Sequence, residues 1–93
     1  MRLDKFLWFS RLTKTRSLAQ QVAEAGHMRI DGRVIDRAHY AVRVGNVLSF
    51  PLDERVRIIR IEALPERRGP AAEAQACYTD LLPPPVDEAR AAT

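Results

Sequence analysis

The sequence predicts an α+β fold, with two N-terminal helices packed on a small, mainly antiparallel sheet of about four strands, and a short C-terminal helix. Apolar residues recur at helical spacing as far as Gly26, and with a period of two from Met28 onward. The dipeptides Asp31-Gly32 and Gly45-Asn46 separate the later apolar runs as tight turns do. At 93 residues, the chain suits one small domain with a thin core.

The first helix is predicted over residues 3–12, LDKFLWFSRL. Leu3, Phe6 and Leu7 fall within one arc of this helix, together with Ser10, and the charged residues lie outside the arc. Trp8 also lies off the arc, beside charged neighbours. It could therefore stack on a base or pack against another element, and packing is the commoner outcome.

A second helix of about ten residues is predicted to begin after Thr15, a good N-cap residue, and to end at Gly26. The spacing of Leu18, Val22 and Ala25 predicts that these three side chains are buried. The opposite face then carries polar and charged side chains: Arg16, Ser17, Gln20, Gln21 and Glu24.

Short strands are predicted after the second helix. Met28 and Ile30 alternate with a charged residue and lead into Asp31-Gly32, which favours a type I′ turn with a return strand directly after it. The runs VLSFPL and RVRIIRIEAL are typical of two further strands, joined near Asp53-Glu54.

The last third of the chain predicts a third helix and a tail. Gly69-Pro70 interrupts the strand pattern, and the following PAAEAQACYTDLL has good helix formers up to three prolines from Pro83. The final VDEARAAT lacks an apolar face and is expected to be disordered. We therefore divide the chain into a domain over 1–64, a helical extension packing on it over 65–82, and a disordered tail over 83–93.

Positive charge is concentrated in the first two thirds of the chain. Residues 1–60 hold 12 Lys and Arg against 6 Asp and Glu, whereas residues 61–93 hold 3 Arg against 6 acidic residues. This bias favours a polyanionic partner, because the field of a basic surface attracts nucleic acid or an anionic membrane without specific contacts. A solvated basic face that binds nothing is the alternative from charge alone.

Cysteine usage and hydropathy exclude several classes of protein. Cys77 is the single cysteine, so an intrachain disulfide cannot form and a reducing cytosol fits best. The N-terminal stretch carries Asp4, Lys5 and Arg11, unlike a signal peptide, and no uncharged apolar run is long enough to span a bilayer. We expect a cytoplasmic protein with no membrane partner.

Catalytic and metal sites are not expected. His27, His39 and Cys77 lack the ligand spacing of a zinc site, and no cofactor is implied. Asp53-Glu54 falls at a predicted hairpin tip in water, where nothing distinguishes the two carboxyls for acid–base chemistry. Cys77, among alanines, is expected to be a buried, inert thiol. The sequence therefore predicts a non-enzymatic protein without a small-molecule substrate.

The second helix and the hairpin after it bring their polar residues close together in sequence. Because the link through Gly26 is short, we expect the two elements to form one basic surface. Arginine and lysine there can neutralise phosphates, Ser17 and the free N–H groups at the helix start can donate to a phosphate oxygen, and glutamine can bond sugar or base edges. Each feature alone is generic.

Taken together, these residues resemble a known family. The run TRSLAQQVAEAGHMRIDGRVI, residues 15–35, resembles the signature of the S4 RNA-binding domain, also called the alpha-L motif. The later VRVGNV, residues 42–47, is similar to that family's Val-x-x-Gly-Asp segment, with Asn46 in place of the usual aspartate. The residues that carry the main match are Arg16-Ser17, Gln20-Gln21, Gly26-His27 and Ile30-Asp31-Gly32.

Two further blocks resemble one subgroup, the small heat-shock-protein-fifteen-like proteins: RLDKFLW at residues 2–8 and RRGPAAEA at residues 67–74. With them, the likeness covers about residues 2–80. The better-known members carry a long basic C-terminal extension, whereas this sequence ends in an acidic segment. We therefore expect the anchoring that such an extension could add to be missing.

The resemblance implies an alpha-L fold and RNA binding at the ribosome, and we expect the chain to be a monomer. Members of the subgroup associate with a large subunit that still carries a nascent chain on tRNA. The expected partners are therefore ribosomal RNA, tRNA and the large subunit, in recycling or quality control of stalled complexes. The resemblance assigns the basic face to Arg2, Lys5, Lys14, Arg16, Ser17 and Gln20, with Arg29, Asp31 and Arg33 on the neighbouring hairpin. We also expect Arg11 and Thr15 to bind RNA.

A second class of function stays open at this point. The basic face could belong to a protein-interaction or regulatory module that binds an acidic protein. An RNA-modifying enzyme is disfavoured by chain length, because related domains fused to pseudouridine synthases or tRNA synthetases leave catalysis to another domain. The salt dependence of binding to a defined RNA distinguishes RNA binding from protein binding.

Overall fold

The structure, a computed structural model, describes residues 1–81 as three helices and one five-stranded sheet. All neighbouring strands are antiparallel, so the predicted α+β class is confirmed. The helices are α1 (Leu3–Phe9), α2 (Arg16–Glu24) and α3 (Ala71–Gln75), and the strands are β1 (Met28–Ile30), β2 (Arg33–Ile35), β3 (Val47–Leu52), β4 (Arg55–Ile61) and β5 (Tyr78–Asp80). Their order in the sheet is β2-β1-β3-β4-β5.

The core joins the two N-terminal helices to one face of the sheet. Phe6 and Leu7 of α1 are fully buried, as the helical spacing predicts. Phe50 of β3 and Ile59 of β4 are buried in the same cluster, because alternate residues of a strand share a face. Burying one such side chain contributes about 1.5–3 kcal/mol, so this cluster is the main source of stability.

The buried face of α2 differs from the prediction. Ala19 and Ala23 are fully buried, whereas Leu18 and Val22 are half-buried and Ala25 is exposed. The alanine pair and the pair Leu18 and Val22 both have the spacing of one helix face. A prediction from periodicity therefore places the pair with the larger apolar side chains in the core. The alanines let α2 pack closely against α1, and the helix is therefore rotated by about one residue from the predicted orientation.

The predicted hairpin turns are confirmed. Asp31 and Gly32 both have positive φ angles, 52° and 86°, as a type I′ turn requires. Asp53 and Glu54 join β3 to β4 with φ angles of 52° and 65°, a region that residues other than glycine seldom adopt. Gly45 has φ 94° in the turn before β3, so the backbone there also takes the left-handed conformation expected of a glycine turn.

The third helix is shorter than predicted, and a fifth strand follows it. The helix ends at Gln75, and β5 pairs with β4 in place of the expected last helical turns. Tyr78 and Thr79 have good strand propensity, and β4 would otherwise leave an unpaired edge. The Leu81 N–H extends this pairing by donating to the Ile58 carbonyl at 2.8 Å.

Other expectations concern the end of the chain and the cysteine. The predicted tail over 83–93 lies outside the described residues, and the division at residue 64 stays a prediction. Cys77 is buried, and this burial raises the pKa of its thiol, as expected for an inert cysteine. Among residues 1–81, the helices are all too short or too polar to cross a bilayer.

Candidate nucleic-acid interface

The start of α2 is exposed and suited to an anion. The Thr15 hydroxyl accepts a hydrogen bond from the Leu18 N–H at 3.0 Å, which confirms the predicted N-cap. Arg16 and Ser17 lie in the first exposed turn, with Gln20 one turn later. First-turn N–H groups lack intrahelical acceptors and carry partial positive charge. A phosphate here would therefore meet backbone donors and a guanidinium together.

Two other predicted site residues belong to α1 and the residue before it. Lys5 is half-buried on α1. Arg2 donates to both carboxylate oxygens of Asp4, at 2.9 and 3.0 Å, and the Asp4 side chain is fully buried. Because Arg2 compensates a buried carboxylate, it contributes to folding whether or not it also contacts RNA.

The connection between α1 and α2 is held by residues from far along the chain. Arg11, which has φ 61°, donates from Nε to the Gly69 carbonyl at 2.6 Å. Arg68 donates from Nε to the Trp8 carbonyl at 3.2 Å and from Nη2 to the Lys14 carbonyl at 3.4 Å. Lys14 itself has an exposed side chain between these anchors and the start of α2.

Trp8 packs in this structure, which is the commoner of the two outcomes considered for it. Its half-buried ring contacts Phe9 at 5.6 Å between centroids, and the Arg68 guanidinium lies 5.7 Å from the indole centroid. The sequence assigned no role to Arg68. The only signal was its place in a block that resembles the heat-shock-protein-fifteen-like subgroup, and that block does not indicate which backbone groups it contacts.

The β1–β2 hairpin carries a second basic group. Arg29 and Arg33 are both exposed, and within residues 1–81 neither has an acidic partner. Gly26 joins this hairpin to the C-terminal end of α2, whereas Arg16 lies at the other end, about 12 Å away along the helix. A single surface that includes both groups therefore stays a prediction.

Asp31 is bonded within the protein. Its carboxylate accepts from the Asn46 Nδ2 at 2.7 Å and from the Val47 N–H at 2.9 Å. The Asn46 Oδ1 in turn accepts from the Arg43 N–H at 2.7 Å. Asp31 thus ties the tip of the β1–β2 hairpin to the turn before β3.

This geometry gives the asparagine at position 46 a physical reason. Asn46→Asp would place a second carboxylate about 2.7 Å from that of Asp31, so we expect a loss of about 1–2 kcal/mol at pH 7. The loss should diminish as the pH falls through the acidic range, because protonating one carboxyl restores a donor between them. Urea unfolding of the variant and the wild type across pH 3–7 measures both effects.

The matched control exchanges the two side chains. In the double variant Asp31→Asn with Asn46→Asp, an amide again faces a carboxylate and each backbone N–H keeps an oxygen acceptor. We expect it to recover most of the lost stability. Equal destabilisation of the single and double variants would contradict the repulsion between two carboxylates as the cause of the loss.

The two helices and the hairpin belong to a known domain family. The family model of the S4 domain matches residues 1–48, just over half of the chain. The chain belongs to the S4 domain family. The S4 domain match includes both helices, the hairpin and the turn at Gly45, and it ends at the second residue of β3. Residues 67–70, which hold the connection between the helices, lie outside it.

Relatives and a solved structure extend the similarity beyond the S4 domain match. Heat shock protein 15 of Escherichia coli strain K12 is 36% identical over 80 residues, which cover 86% of this chain and 59% of that protein. The RQC P-site tRNA stabilizing factor of Listeria innocua is 36% identical over 90 residues, covering 97% of this chain and 96% of that protein. The resemblance to the heat-shock-protein-fifteen-like subgroup is thereby confirmed.

The fold has a solved counterpart. The trimeric structure of Vibrio cholerae Heat Shock Protein 15 superimposes with a TM-score of 0.80 at 33% identity, over 88% of this chain and 82% of that chain. The chain therefore has the S4-like α+β fold. It spans only 59% of the length of the Escherichia coli relative.

Proposed function

We propose that this chain is a non-catalytic RNA-binding protein of the large ribosomal subunit, where it contacts structured ribosomal RNA or tRNA. Its role would be recycling or quality control of stalled nascent-chain complexes. The observation that carries the proposal is the similarity to a relative named RQC P-site tRNA stabilizing factor, which covers 96% of that relative's length. Membership of the S4 domain family supports the RNA-binding part.

The surface chemistry agrees with this role. Lys14 and Arg16 flank the capped start of α2, and both side chains are exposed. Cationic side chains beside free helix N–H groups suit phosphate oxygens, which supply most of the affinity in RNA complexes. Ser17 and Gln20 add donors and acceptors that can reach sugar or base edges. These side chains at the start of α2 support the proposed contact with RNA.

The test measures binding to purified large subunits that carry peptidyl-tRNA, with vacant subunits and free tRNA as comparisons. We expect tightest binding to the tRNA-carrying subunit. Because each phosphate contact contributes about −0.7 to −0.9 to the slope of log K against log salt, four to six contacts predict a slope of roughly −3 to −5. Tighter binding to an acidic protein than to any of these RNAs would favour a protein-interaction module.

We also propose that the chain acts as a monomer in the cytoplasm. The solved Vibrio cholerae relative is described as trimeric, so the two proteins would differ in assembly. Light scattering coupled to gel filtration, with and without bound tRNA, measures the mass directly. A mass three times that of one chain would contradict the monomer.

A further inference from the structure

Arg68 and Gly69 hold the connection between α1 and α2, and we propose that Arg68 is a positioning residue for the RNA-binding start of α2. It acts through the backbone carbonyls of Trp8 and Lys14, without touching RNA. We refer to Arg68 and Arg11, with the carbonyls that they bond, as the arginine staple. The inference rests on the proposed function and adds to it a residue outside the S4 domain match.

The connection over residues 10–15 has little structure of its own. It contains neither helix nor strand, and Arg11 adopts the left-handed backbone region. Ser10, Leu12 and Thr13 are buried, and a few short-range bonds add support, such as that from the Thr13 N–H to the Leu7 carbonyl at 3.1 Å. The end of the connection that leads into α2, Lys14 and Thr15, is exposed. A loop of this kind is mobile unless other parts of the chain hold it.

The arginine staple crosses the connection at both ends. Arg68 bonds the Trp8 carbonyl near the end of α1 and the Lys14 carbonyl just before the N-cap of α2. Arg11 bonds in the opposite direction, from the connection to the Gly69 carbonyl. Bonds in both directions fix the connection against residues 67–70, and they therefore fix where Lys14 and the start of α2 point.

An arginine is needed for this geometry. One planar guanidinium donates to two carbonyls and also lies over the Trp8 ring, 5.7 Å from its centroid. A lysine has a single ammonium group at the end of a flexible stem, and it cannot reproduce the planar pair of N–H donors that reaches the two carbonyls. Arg68→Lys therefore keeps the charge but removes the arginine staple's geometry.

The neighbouring Arg67 offers a matched control. Its side chain is 68% exposed, and it has one weak partner, the Glu73 carboxylate at 3.4 Å. Replacing Arg67 or Arg68 with alanine removes the same charge from the same segment. Only the second substitution removes the bonds to the connection.

The experiment compares Arg68→Ala, Arg68→Lys and Arg67→Ala with the wild type, using tRNA-carrying large subunits at two or more salt concentrations. We expect both Arg68 variants to bind about fivefold more weakly, because an unheld connection keeps the start of α2 in its binding position only part of the time and affinity falls by that fraction. The salt slope should stay unchanged, since no phosphate contact is lost. Arg67→Ala should change affinity less than twofold, as a rim charge does.

Two structural measurements accompany binding. Trp8 is the single tryptophan of the chain, so its fluorescence reports directly on the guanidinium above it. Amide hydrogen exchange should accelerate over residues 11–17 in the Arg68 variants and stay unchanged in β3. A variant that merely loses overall stability would accelerate exchange in both regions. If Arg68→Ala does not fold, Arg68→Lys is the variant on which the result is decided.

Several outcomes would overturn the inference. A fall of about 0.7–0.9 in the magnitude of the salt slope for Arg68→Ala would mean that Arg68 contacts a phosphate directly. Wild-type affinity in Arg68→Lys, or equal losses for Arg67→Ala and Arg68→Ala, would mean that only charge matters. These results leave the proposed function intact. Absence of binding by the wild-type protein would instead contradict the proposed function, and the inference with it.

Discussion

Arg16→Glu is expected to weaken RNA binding about 50-fold, because losing one charge-assisted hydrogen bond alone corresponds to roughly 10- to 100-fold and the carboxylate also repels phosphate. Arg16 occupies the first turn of α2, where the helix start already favours an anion. The magnitude of the salt slope should fall by about 0.7–0.9, which is the contribution of one phosphate contact. Titration of tRNA at two salt concentrations measures both changes.

Arg60→Glu is the matched control for this charge reversal. Arg60 lies on β4, bonds Glu62 at 2.9 Å and is remote in the chain from the start of α2. Its reversal changes net charge by the same amount, so it should weaken binding only by the general attraction of a basic protein for RNA. Equal losses for the two variants would indicate diffuse attraction and no defined site at α2.

Lys5→Ala and Arg33→Ala extend the test to the other two elements. Each should weaken binding less than charge reversal at Arg16. Each should also lower the magnitude of the salt slope if its side chain meets a phosphate. Arg33 is the more informative residue, since the hairpin is joined to the far end of α2. An unchanged slope for Arg33→Ala would place the hairpin outside the RNA contact.

Phe6→Ala is expected to lower the free energy of unfolding by about 3–5 kcal/mol, the usual cost of deleting a buried phenylalanine. Phe6 is fully buried where α1 meets the sheet, and it is among the largest side chains of the core. Small domains have total stabilities of about 5–15 kcal/mol, so the variant should unfold at much lower urea concentration or fail to fold. Urea unfolding followed by circular dichroism gives the difference.

Phe9→Ala supplies the comparison within the same helix. The Phe9 side chain is half-buried and packs beside Trp8, so its truncation should cost about 1–2 kcal/mol. The same atoms are deleted in both variants, and only burial differs. Similar losses at the two positions would contradict the assignment of α1's buried face.

Local chemistry in the sequence determined much of this protein. Thr15 caps α2 with its own hydroxyl, and Asp31-Gly32 adopts the left-handed backbone that its hairpin turn needs. Phe6 and Leu7 are buried as their helical spacing predicts. These features depend on residues within a few positions of one another, so a sequence pattern is sufficient to locate them. The exposed cations at the start of α2 follow from the same pattern.

Tertiary structure decided the rest, because the deciding partners lie far apart in the chain. Ala19 and Ala23 are fully buried whereas the larger Leu18 is half-buried, because the packing of α2 against α1, β1 and β3 decides which face is covered. The segment after α3 became β5 because β4 offered an open edge with which Tyr78 and Thr79 could pair. Arg68 meets the Lys14 carbonyl 54 residues away. No local propensity encodes such a contact, and it exists only once the sheet and both helices have assembled.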